Sequence, residues 1–274
     1  MPELPEVETI VRYLKPKIRG KRILDVWADV PRLFRTTKFQ KSDFPWKSDF
    51  SRSLRRRKIL NVRRAGKNVV FELSNGHDLY IHLMMTGKLL FFPQVPKEKH
   101  VHFWMKFGPK DFLALHDIRK FGWIRFAPQR PVLSIGKDAL SISFAEFKEI
   151  FKKRKGGVKS LFLNQSAISG VGNIYSDEIL WYAGIGLSRR ADSLKEEELK
   201  KIYLAMRRVL SSAIRAGGTS SRDYRRPDGS EGGYYKIRKA YQRTGERCER
   251  RDGGIIKRIV IGQRSAHYCP KHQK

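Results

Sequence analysis

The hydrophobic pattern changes its period near residue 130, and this change limits the folds that the chain can adopt. Before it, short apolar or alternating runs occur at 23–30, 59–65, 68–74, 78–84, 88–92, 101–107, 111–116 and 123–126. Alternation with a period of two is typical of half-buried strands. Because no helical pattern separates these runs, they predict an antiparallel β-sandwich or barrel. Asn75-Gly76 predicts a hairpin turn between two of them.

Apolar residues at helical spacing lie on both sides of this region. Residues 5–19 predict an amphipathic helix, with Pro5 in its first turn and Pro16 expected to bend or end it. After a linker at 128–137, helical patterns occur at 144–153, 159–165, 173–182 and 195–215. The pair Gly217-Gly218 is expected to end the last helix. These patterns predict a multidomain α+β protein.

We expect three regions. Residues 1–130 form an antiparallel β-sandwich domain with flanking helices, and residues 138–235 form a helical domain with a long glycine-rich loop at 217–234. Residues 236–274 form a C-terminal β-hairpin that contains an apolar strand at 255–261. Long loops in compact domains are more often functional than not, so the loop is a candidate part of the site.

The charge balance indicates a polyanionic partner. The chain has 58 Lys and Arg against 27 Asp and Glu, a formal net charge of +31. The basic residues recur along the chain, as in 55–58, 152–155 and 222–226, which favours nucleic acid over a basic tail. The first residues are acidic where a targeting sequence would be basic, so we expect a cytoplasmic protein. Two cysteines do not make a disulfide framework.

The acidic N-terminus is the first candidate site. Glu3, Glu6 and Glu8 lie beside Pro2 in a strongly basic chain. The dipole of the following helix explains Glu6 and Glu8 but not Glu3, which precedes the helix. An α-amino group has a pKa of about 7.7–8.0, so an exposed N-terminal amine can act as a nucleophile near neutral pH.

Six separated strings carry a resemblance to a known family. They are PELPEVETI at 2–10, IHLMMTGKL at 81–89, DIRKFGW at 117–123, SGVGNIYSDE at 169–178, GGTSSRDY at 217–224 and GQRSAHYC at 262–269. Together they resemble formamidopyrimidine-DNA glycosylase, a bacterial enzyme family that excises oxidised purines from DNA. The resemblance implies a β-sandwich domain, a helix-two-turn-helix domain and a zinc-finger-like hairpin, with duplex DNA bound in the cleft between them by a monomer.

The resemblance also implies catalytic roles. Pro2, once Met1 is removed, attacks the sugar C1′, expels the damaged base and forms an iminium. Elimination then cleaves the strand, so the family combines a glycosylase with an abasic-site lyase. Glu3 handles protons at the sugar ring, Glu6 supports the site, and Lys67 contacts phosphate near the lesion.

Further residues match the family's DNA contacts. Extrusion of a base leaves a gap in the duplex. The family fills it with an apolar wedge, a cation and an aromatic ring, which correspond here to Met85, Arg119 and Phe121. His82, Asn173 and Arg264 match contacts to DNA, and Tyr235 is a candidate by position alone.

Two rival functions stay open at this stage. An endonuclease VIII type of glycosylase acts on oxidised pyrimidines, but it lacks the combination of Met85, Arg119 and Phe121. A non-catalytic protein that binds damaged DNA would not need Pro2, Glu3 and Lys67.

The hairpin is where the chain departs from the family. The usual finger has two CxxC pairs, whereas Arg251 stands here in place of the second cysteine. Cys248, Cys269 and His272 are three candidate ligands, and a structural zinc site normally has four. His267 or Asp252 could complete the set, although neither has the normal spacing. The sequence leaves zinc open, predicts low metal occupancy and indicates no other cofactor.

Overall fold

The computed structural model describes residues 1–29, 46–128 and 134–274. The chain forms two compact units: Met1–Leu133 with Ala216–Gly233, and Ser134–Arg215 with Tyr234–Lys274. Helices and antiparallel sheets both occur, and the predicted multidomain α+β class is confirmed. Within the described ranges, no helix has the length and apolar character that a membrane crossing requires.

The first unit contains two antiparallel sheets of four strands each, in the orders β1-β6-β7-β5 and β2-β3-β4-β8. The helices are α1 (Leu4–Ile18) and α2 (Trp46–Leu54). The strands are β1 (Asp25–Ala28), β2 (Ile59–Ala65), β3 (Asn68–Leu73), β4 (His77–His82), β5 (Lys88–Phe92), β6 (Val101–Gly108), β7 (Asp111–His116) and β8 (Trp123–Pro128).

One apolar core joins the two sheets and α1. Phe103 and Leu113 from one sheet pack in the same buried cluster as Val69 and Ile124 from the other. The alternation seen in the sequence therefore reflects one face packed on this core, and the predicted sandwich is confirmed. Gly76 adopts φ +71° between β3 and β4, so the predicted hairpin turn is also correct.

Pro16 does not end α1, which continues through it to Ile18, and a bend at Pro16 stays a prediction. A proline in the last turn removes the hydrogen bond to the carbonyl four residues earlier, so the packing of its neighbours must offset that loss. Leu14 and Ile18, on either side of Pro16, are fully buried, and this packing holds the last turn in place.

The second unit is mainly helical. Its helices are α3 (Phe144–Lys152), α4 (Val158–Leu163), α5 (Asn173–Ala183), α6 (Glu196–Arg215) and α7 (Tyr234–Ile237), and a short 3₁₀ helix covers Ala191–Ser193. A parallel pair joins β9 (Lys137–Asp138) to β10 (Ile168–Ser169). An antiparallel hairpin joins β11 (Lys257–Ile261) to β12 (Arg264–Tyr268). The four predicted helices are confirmed, whereas α7 was not predicted.

The glycine-rich loop packs with the first unit. α6 ends at Arg215, and Gly217 and Gly218 follow it with φ +76° and +87°, as the predicted stop requires. The Phe91 N–H donates to the Pro227 carbonyl at 2.8 Å, which holds the loop against the edge strand β5. The loop residues 216–233 thus belong to the sandwich unit, whereas the sequence analysis grouped 217–234 with the helical domain. Apart from this loop, the bounds of the three predicted regions remain a prediction.

Candidate active site

The N-terminal segment is buried at the start of α1. Pro2 is buried, Glu3 is only 2% exposed, and Met1 is 39% exposed. The Glu3 N–H donates to Glu6 Oε2 at 2.7 Å, so the Glu6 carboxylate fixes the backbone directly after Pro2. The proline nitrogen is part of an amide while Met1 is attached, and it becomes an amine only when Met1 is removed.

Glu6 also holds the glycine-rich loop. Its second oxygen, Oε1, accepts a hydrogen bond from the Thr219 N–H at 2.7 Å. A Cβ added to Gly218 would lie 3.0 Å from Glu6 Cγ, so the close approach at φ +87° favours glycine. Tyr224 packs in the same place, and burial, followed by the Glu6 charge, raises the pKa of its hydroxyl. One buried carboxylate therefore connects the candidate nucleophile segment to residues 218–224.

Lys67 lies at the turn between β2 and β3, directly after Gly66, and is 7% exposed. Arg64, at the end of β2, donates to Glu8 Oε2 at 3.0 Å and so ties this strand to the first turns of α1. This ion pair therefore joins the start of α1, next to Glu3, to the strand that leads to Lys67.

Met85, Arg119 and Phe121 form a single exposed cluster. Arg119 Nη1 lies 3.5 Å from Met85 Sδ, and the Arg119 guanidinium lies 4.4 Å from the centre of the Phe121 ring. Met85 and Phe121 are 40% and 44% exposed, which is high for large apolar side chains. The structure therefore brings together three residues from two separate loops, on a surface where a ligand can reach them.

Asp117 organises this cluster, and the sequence reasoning missed it. It is fully buried. The Thr86 hydroxyl, beside Met85, donates to Asp117 Oδ1. The N–H groups of Arg119 and Gly122 donate to the same carboxylate at 3.2 and 2.7 Å. The signal in the sequence was an aspartate two residues before Arg119, a spacing typical of side-chain to backbone turns.

His82 lies beside the cluster with a defined ring orientation. Its ring stacks on Trp123 at 5.3 Å, and its Nδ1 accepts a hydrogen bond from the Met84 N–H at 2.9 Å. A neutral imidazole that accepts at Nδ1 carries its hydrogen on Nε2. His82 is therefore oriented as a donor through Nε2.

In the second unit, α5 and the hairpin are joined by side chains spaced four residues apart. Asn173 Nδ2 donates to the Ser265 carbonyl at 3.0 Å. Asp177 Oδ2 accepts from the His267 N–H at 2.9 Å and lies 3.0 Å from His267 Nδ1. The other oxygen of Asp177 lies 2.5 Å from the Nζ of fully buried Lys159. A buried charge needs a partner of this kind.

These contacts position Arg264. It is the first residue of β12, is exposed, and follows a two-residue turn in which Gly262 and Gln263 both have positive φ. Its neighbour Ser265 is the residue held by Asn173. Asn173 therefore fixes the hairpin through its side-chain amide, a contact that the sequence did not indicate. Tyr235 lies in α7 with the Arg238 guanidinium 3.7 Å from its ring centre.

Glu178 anchors the segment after α7 and was also missed. Its carboxylate accepts hydrogen bonds from the N–H groups of Lys239, Ala240 and Tyr241 and from the Tyr234 hydroxyl, at 2.8 to 3.2 Å. Complete burial raises the pKa of this carboxyl. The Asp and Glu of SGVGNIYSDE thus both have structural partners in the second unit.

Four donors converge in the C-terminal region. The ligand atoms of Cys248, Asp252, Cys269 and His272 all lie within 4.8 Å of one another. Tetrahedral zinc, with bonds of about 2.0–2.3 Å, separates its ligands by about 3.3–3.8 Å. Cys248 Sγ lies 3.6 Å from His272 Nδ1, and Cys269 Sγ lies 3.7 Å from Asp252 Oδ2. His272 Nδ1 and Asp252 Oδ2 lie closer, at a hydrogen-bond distance of 2.9 Å. The cluster therefore has the donor set of a four-ligand metal site.

The surroundings of His272 support the same assignment. Its Nε2 lies 3.2 Å from the Trp181 carbonyl, which leaves Nδ1 directed at the other donors. Metal-binding histidines usually donate their second ring N–H to such an acceptor. The sequence count of three ligands was therefore incomplete: Asp252 supplies the other donor, while His267 pairs with Asp177 instead. The expectation of low metal occupancy stays a prediction.

Comparison with known proteins identifies the family of the chain. The model of the formamidopyrimidine-DNA glycosylase N-terminal domain matches residues 1–124, and that of the H2TH domain of the same enzyme matches residues 135–225. The chain belongs to the formamidopyrimidine-DNA glycosylase family. Formamidopyrimidine-DNA glycosylases from Solibacter usitatus and Carboxydothermus hydrogenoformans are 41% and 38% identical to it, over the full length of both chains.

Solved structures of family members agree along the whole chain. Lactococcus lactis Fpg in complex with an abasic site containing DNA has a TM-score of 0.88 at 32% identity and covers 99% of each chain. A complex of MutM with carbocyclic 8-oxo-G containing DNA has a TM-score of 0.87 at 33% identity and covers 100% of both. The glycosylase resemblance stated from the six strings is thus confirmed.

Proposed function

We propose that the chain is a bifunctional DNA glycosylase and abasic-site lyase that excises oxidised purines, such as 8-oxoguanine and formamidopyrimidines, from duplex DNA. The observation that carries the proposal is the buried N-terminal assembly, in which Glu6 holds both the Glu3 N–H and the Thr219 N–H. Membership of the glycosylase family and the DNA complexes of its relatives support the same activity.

The first chemical step uses the Pro2 amine. After removal of Met1, the neutral nitrogen attacks C1′ of the damaged nucleotide, the glycosidic bond breaks, and the base leaves with the proton of the amine. The C1′–O4′ bond then opens, O4′ takes a proton, and the bond between C1′ and the proline nitrogen becomes an iminium. The resulting iminium acidifies the C2′ hydrogens, so β-elimination and then δ-elimination break the strand on both sides of the sugar. Glu3, held next to Pro2, transfers protons at the sugar ring. Lys67 binds a phosphate beside the lesion.

The exposed cluster of Met85, Arg119 and Phe121 fills the gap that base extrusion leaves in the duplex. Met85 enters the vacated space, Arg119 donates to the unpaired partner base, and Phe121 stacks on a neighbouring base. The contact of Arg119 with both other side chains supports insertion of the three as one unit. The same set supports a purine-specific enzyme over an endonuclease VIII type, which lacks it.

The remaining contacts with DNA are made by residues outside the exposed cluster. His82 donates through Nε2, Arg264 reaches the DNA from the hairpin, and the segment that begins α5 at Asn173 contacts the backbone. Tyr235 is a further candidate. We infer a monomer that acts on chromosomal DNA in the bacterial cytoplasm, and the surplus of basic residues suits binding to a phosphate backbone.

Zinc completes the hairpin in this proposal. Cys248, Asp252, Cys269 and His272 would hold it, and a closed four-ligand site supplies folding energy rather than chemistry. Burial raises the pKa of the Cys248 thiol, while the Gly254 N–H lowers the pKa of the Asp252 carboxyl. The ion would hold together the two ends of the segment that contains β11 and β12.

Borohydride trapping tests whether the chain forms the proposed covalent intermediate with DNA. The purified protein, incubated with borohydride and a duplex that carries one 8-oxoguanine, should form a covalent complex whose cross-linked peptide begins at Pro2. A duplex with one oxidised pyrimidine is the comparison substrate and should trap more slowly. If no damaged or abasic duplex gives a complex, the chain binds lesions without catalysis; if the pyrimidine duplex traps faster, the purine assignment is wrong.

A further inference from the structure

The outer face of the sheet β1-β6-β7-β5 carries a row of aromatic residues. Trp27 of β1 pairs in register with Trp104 of β6, and Phe92 of β5 pairs with Phe112 of β7. Their sequence neighbours, such as Phe103 and Leu113, belong to the core, so these four rings lie on the opposite face. We call Trp27, Trp104, Phe112 and Phe92 the outer aromatic row. A solvated sheet face ordinarily carries polar residues at these positions.

The rings of the row pack against one another. Trp27 and Trp104 stack with centroids 6.4 Å apart and planes inclined by 14°, and Trp104 meets Phe112 edge to face at 5.5 Å. Phe112 is 2% exposed, whereas Trp27 is 41% exposed. Phe112 is therefore covered by its neighbours within the row, and Trp27 presents an aromatic surface to solvent.

Cations follow the same row. Lys106 Nζ lies 5.5 Å from the centre of the Phe112 ring. At the β5 end, a cavity of about 430 Å³ is lined by Phe92 together with Tyr13, Lys17 and Lys110. Among the described residues, no carboxylate forms a salt bridge with Lys17, Lys106 or Lys110, whereas Lys21 in the same cavity pairs with Asp111 at 2.6 Å. Three lysines without a salt bridge to a described carboxylate thus lie along the row, although Asp25 is opposite Lys106 in the register of β1 and β6.

We propose that the outer aromatic row is a second nucleic-acid site, which binds a few nucleotides of single-stranded DNA. Bases stack on Trp27 and in the aromatic cavity, while phosphates contact Lys17, Lys106 and Lys110. Aromatic side chains interleaved with cations bind single strands with little sequence preference. The row crosses four strands, a width of about 14 Å at about 4.8 Å per strand spacing, which a short segment spans.

The row lies away from the candidate active site. Met85 precedes β5 and Arg119 follows β7, so both adjoin the ends of these strands opposite to Phe92 and Phe112. Tyr13 lies ten residues after Glu3 along α1, about 15 Å at the helical rise of 1.5 Å per residue. A duplex held at Met85 and Arg119 therefore leaves the row available for a separate strand.

An acidic protein segment is the main alternative occupant, and the aromatic rings argue against it. Carboxylates would pair with the cations but would leave the stacked rings of Trp27 and Trp104 without the flat partner that a base supplies.

The test is a titration with a fluorescein-labelled ten-residue oligothymidylate. It is done with the free protein and with protein saturated by a duplex that contains a tetrahydrofuran abasic analogue. We expect similar affinity in both cases and quenching of tryptophan fluorescence. Trp27→Ala should weaken oligothymidylate binding about tenfold, because one base loses its stacking partner, and should leave excision unchanged. Leu24→Ala is the matched control, since Leu24 is 49% exposed and lies outside the row.

A charge-reversal pair tests the cations. Lys110→Glu should weaken binding of the oligonucleotide more than Lys15→Glu, an exposed position on α1 that lies outside the cavity. The proposal is overturned if the saturating duplex displaces the oligonucleotide, or if Trp27→Ala behaves like Leu24→Ala. It is also overturned if an acidic phenylalanine-containing peptide binds the row and oligothymidylate does not. Excision is measured separately, so loss of this site and failure of the glycosylase proposal give different results.

Discussion

Replacement of Glu6 by glutamine tests whether one carboxylate couples the N-terminal segment to the glycine-rich loop. The two oxygens of Glu6 accept from the Glu3 N–H and the Thr219 N–H, both at 2.7 Å, and Glu6 is 1% exposed. Glutamine keeps one carbonyl oxygen and replaces the other with an amide group that can only donate. One of the two backbone N–H groups therefore loses its acceptor in a buried place.

The expected cost follows from these contacts. A buried donor without a partner costs about 1–3 kcal/mol, and the remaining hydrogen bond loses the strength that a charged acceptor gives, so Glu6→Gln should lower the free energy of unfolding by about 2–4 kcal/mol. At about 2–4 °C per kcal/mol, calorimetry should show a clear fall in Tm. Because both Glu3 and the loop lose a fixed position, single-turnover release of 8-oxoguanine should fall more than about tenfold at a temperature where the variant is folded.

Glu8→Gln is the matched control on the same helix. Glu8 is more exposed, with 18% of its side chain accessible, and its partners are the side chains of Arg12 and Arg64 at 2.8 and 3.0 Å. Because glutamine still offers an acceptor oxygen to Arg64 and Arg12 is exposed, Glu8→Gln should lower the free energy of unfolding and slow base release by less than Glu6→Gln does. The coupling is refuted if Glu6→Gln matches Glu8→Gln in both Tm and excision rate.

Three further predictions concern other parts of the site. Glu3→Gln should abolish base release in single-turnover assays while duplex affinity, measured by anisotropy, stays within about twofold; excision at the wild-type rate would show that Glu3 is misassigned. Asp252→Ala should lower zinc content and speed release of the metal to a chelator, because three ligands hold zinc less well than four, and unchanged zinc content would exclude Asp252 as a ligand. His267→Phe removes the 3.0 Å contact with Asp177 but keeps an aromatic ring beside Tyr241. As a single substitution it should slow excision. In the Arg264→Ala background it should cause no further loss of excision, and additive losses would mean that His267 does not act through Arg264.

Much of the fold follows from local features of the sequence. The alternating runs became β2 through β8 because one face of each strand packs on the core, and the end of α6 follows from Gly217 and Gly218. Periodicity, turn residues and helix stops act over a few residues, so they can be read without knowledge of the tertiary structure. The N-terminal string and the other family motifs likewise identified the candidate catalytic residues.

The residues that support the candidate site could not be predicted from local patterns, because their partners are distant in sequence. Asp117 meets Thr86, Asp177 meets His267, and Glu6 meets Thr219 across 213 positions. The irregular spacing of Asp252 likewise hid its place beside Cys269, which depends on how the segment around the hairpin folds back. The sequence by itself therefore determined the elements and the candidate reactive groups, whereas the tertiary structure decided which buried carboxylates lie beside those groups. The physical reason is that a buried charge is tolerated only where folding brings donors to it, and no local pattern records which donors those are.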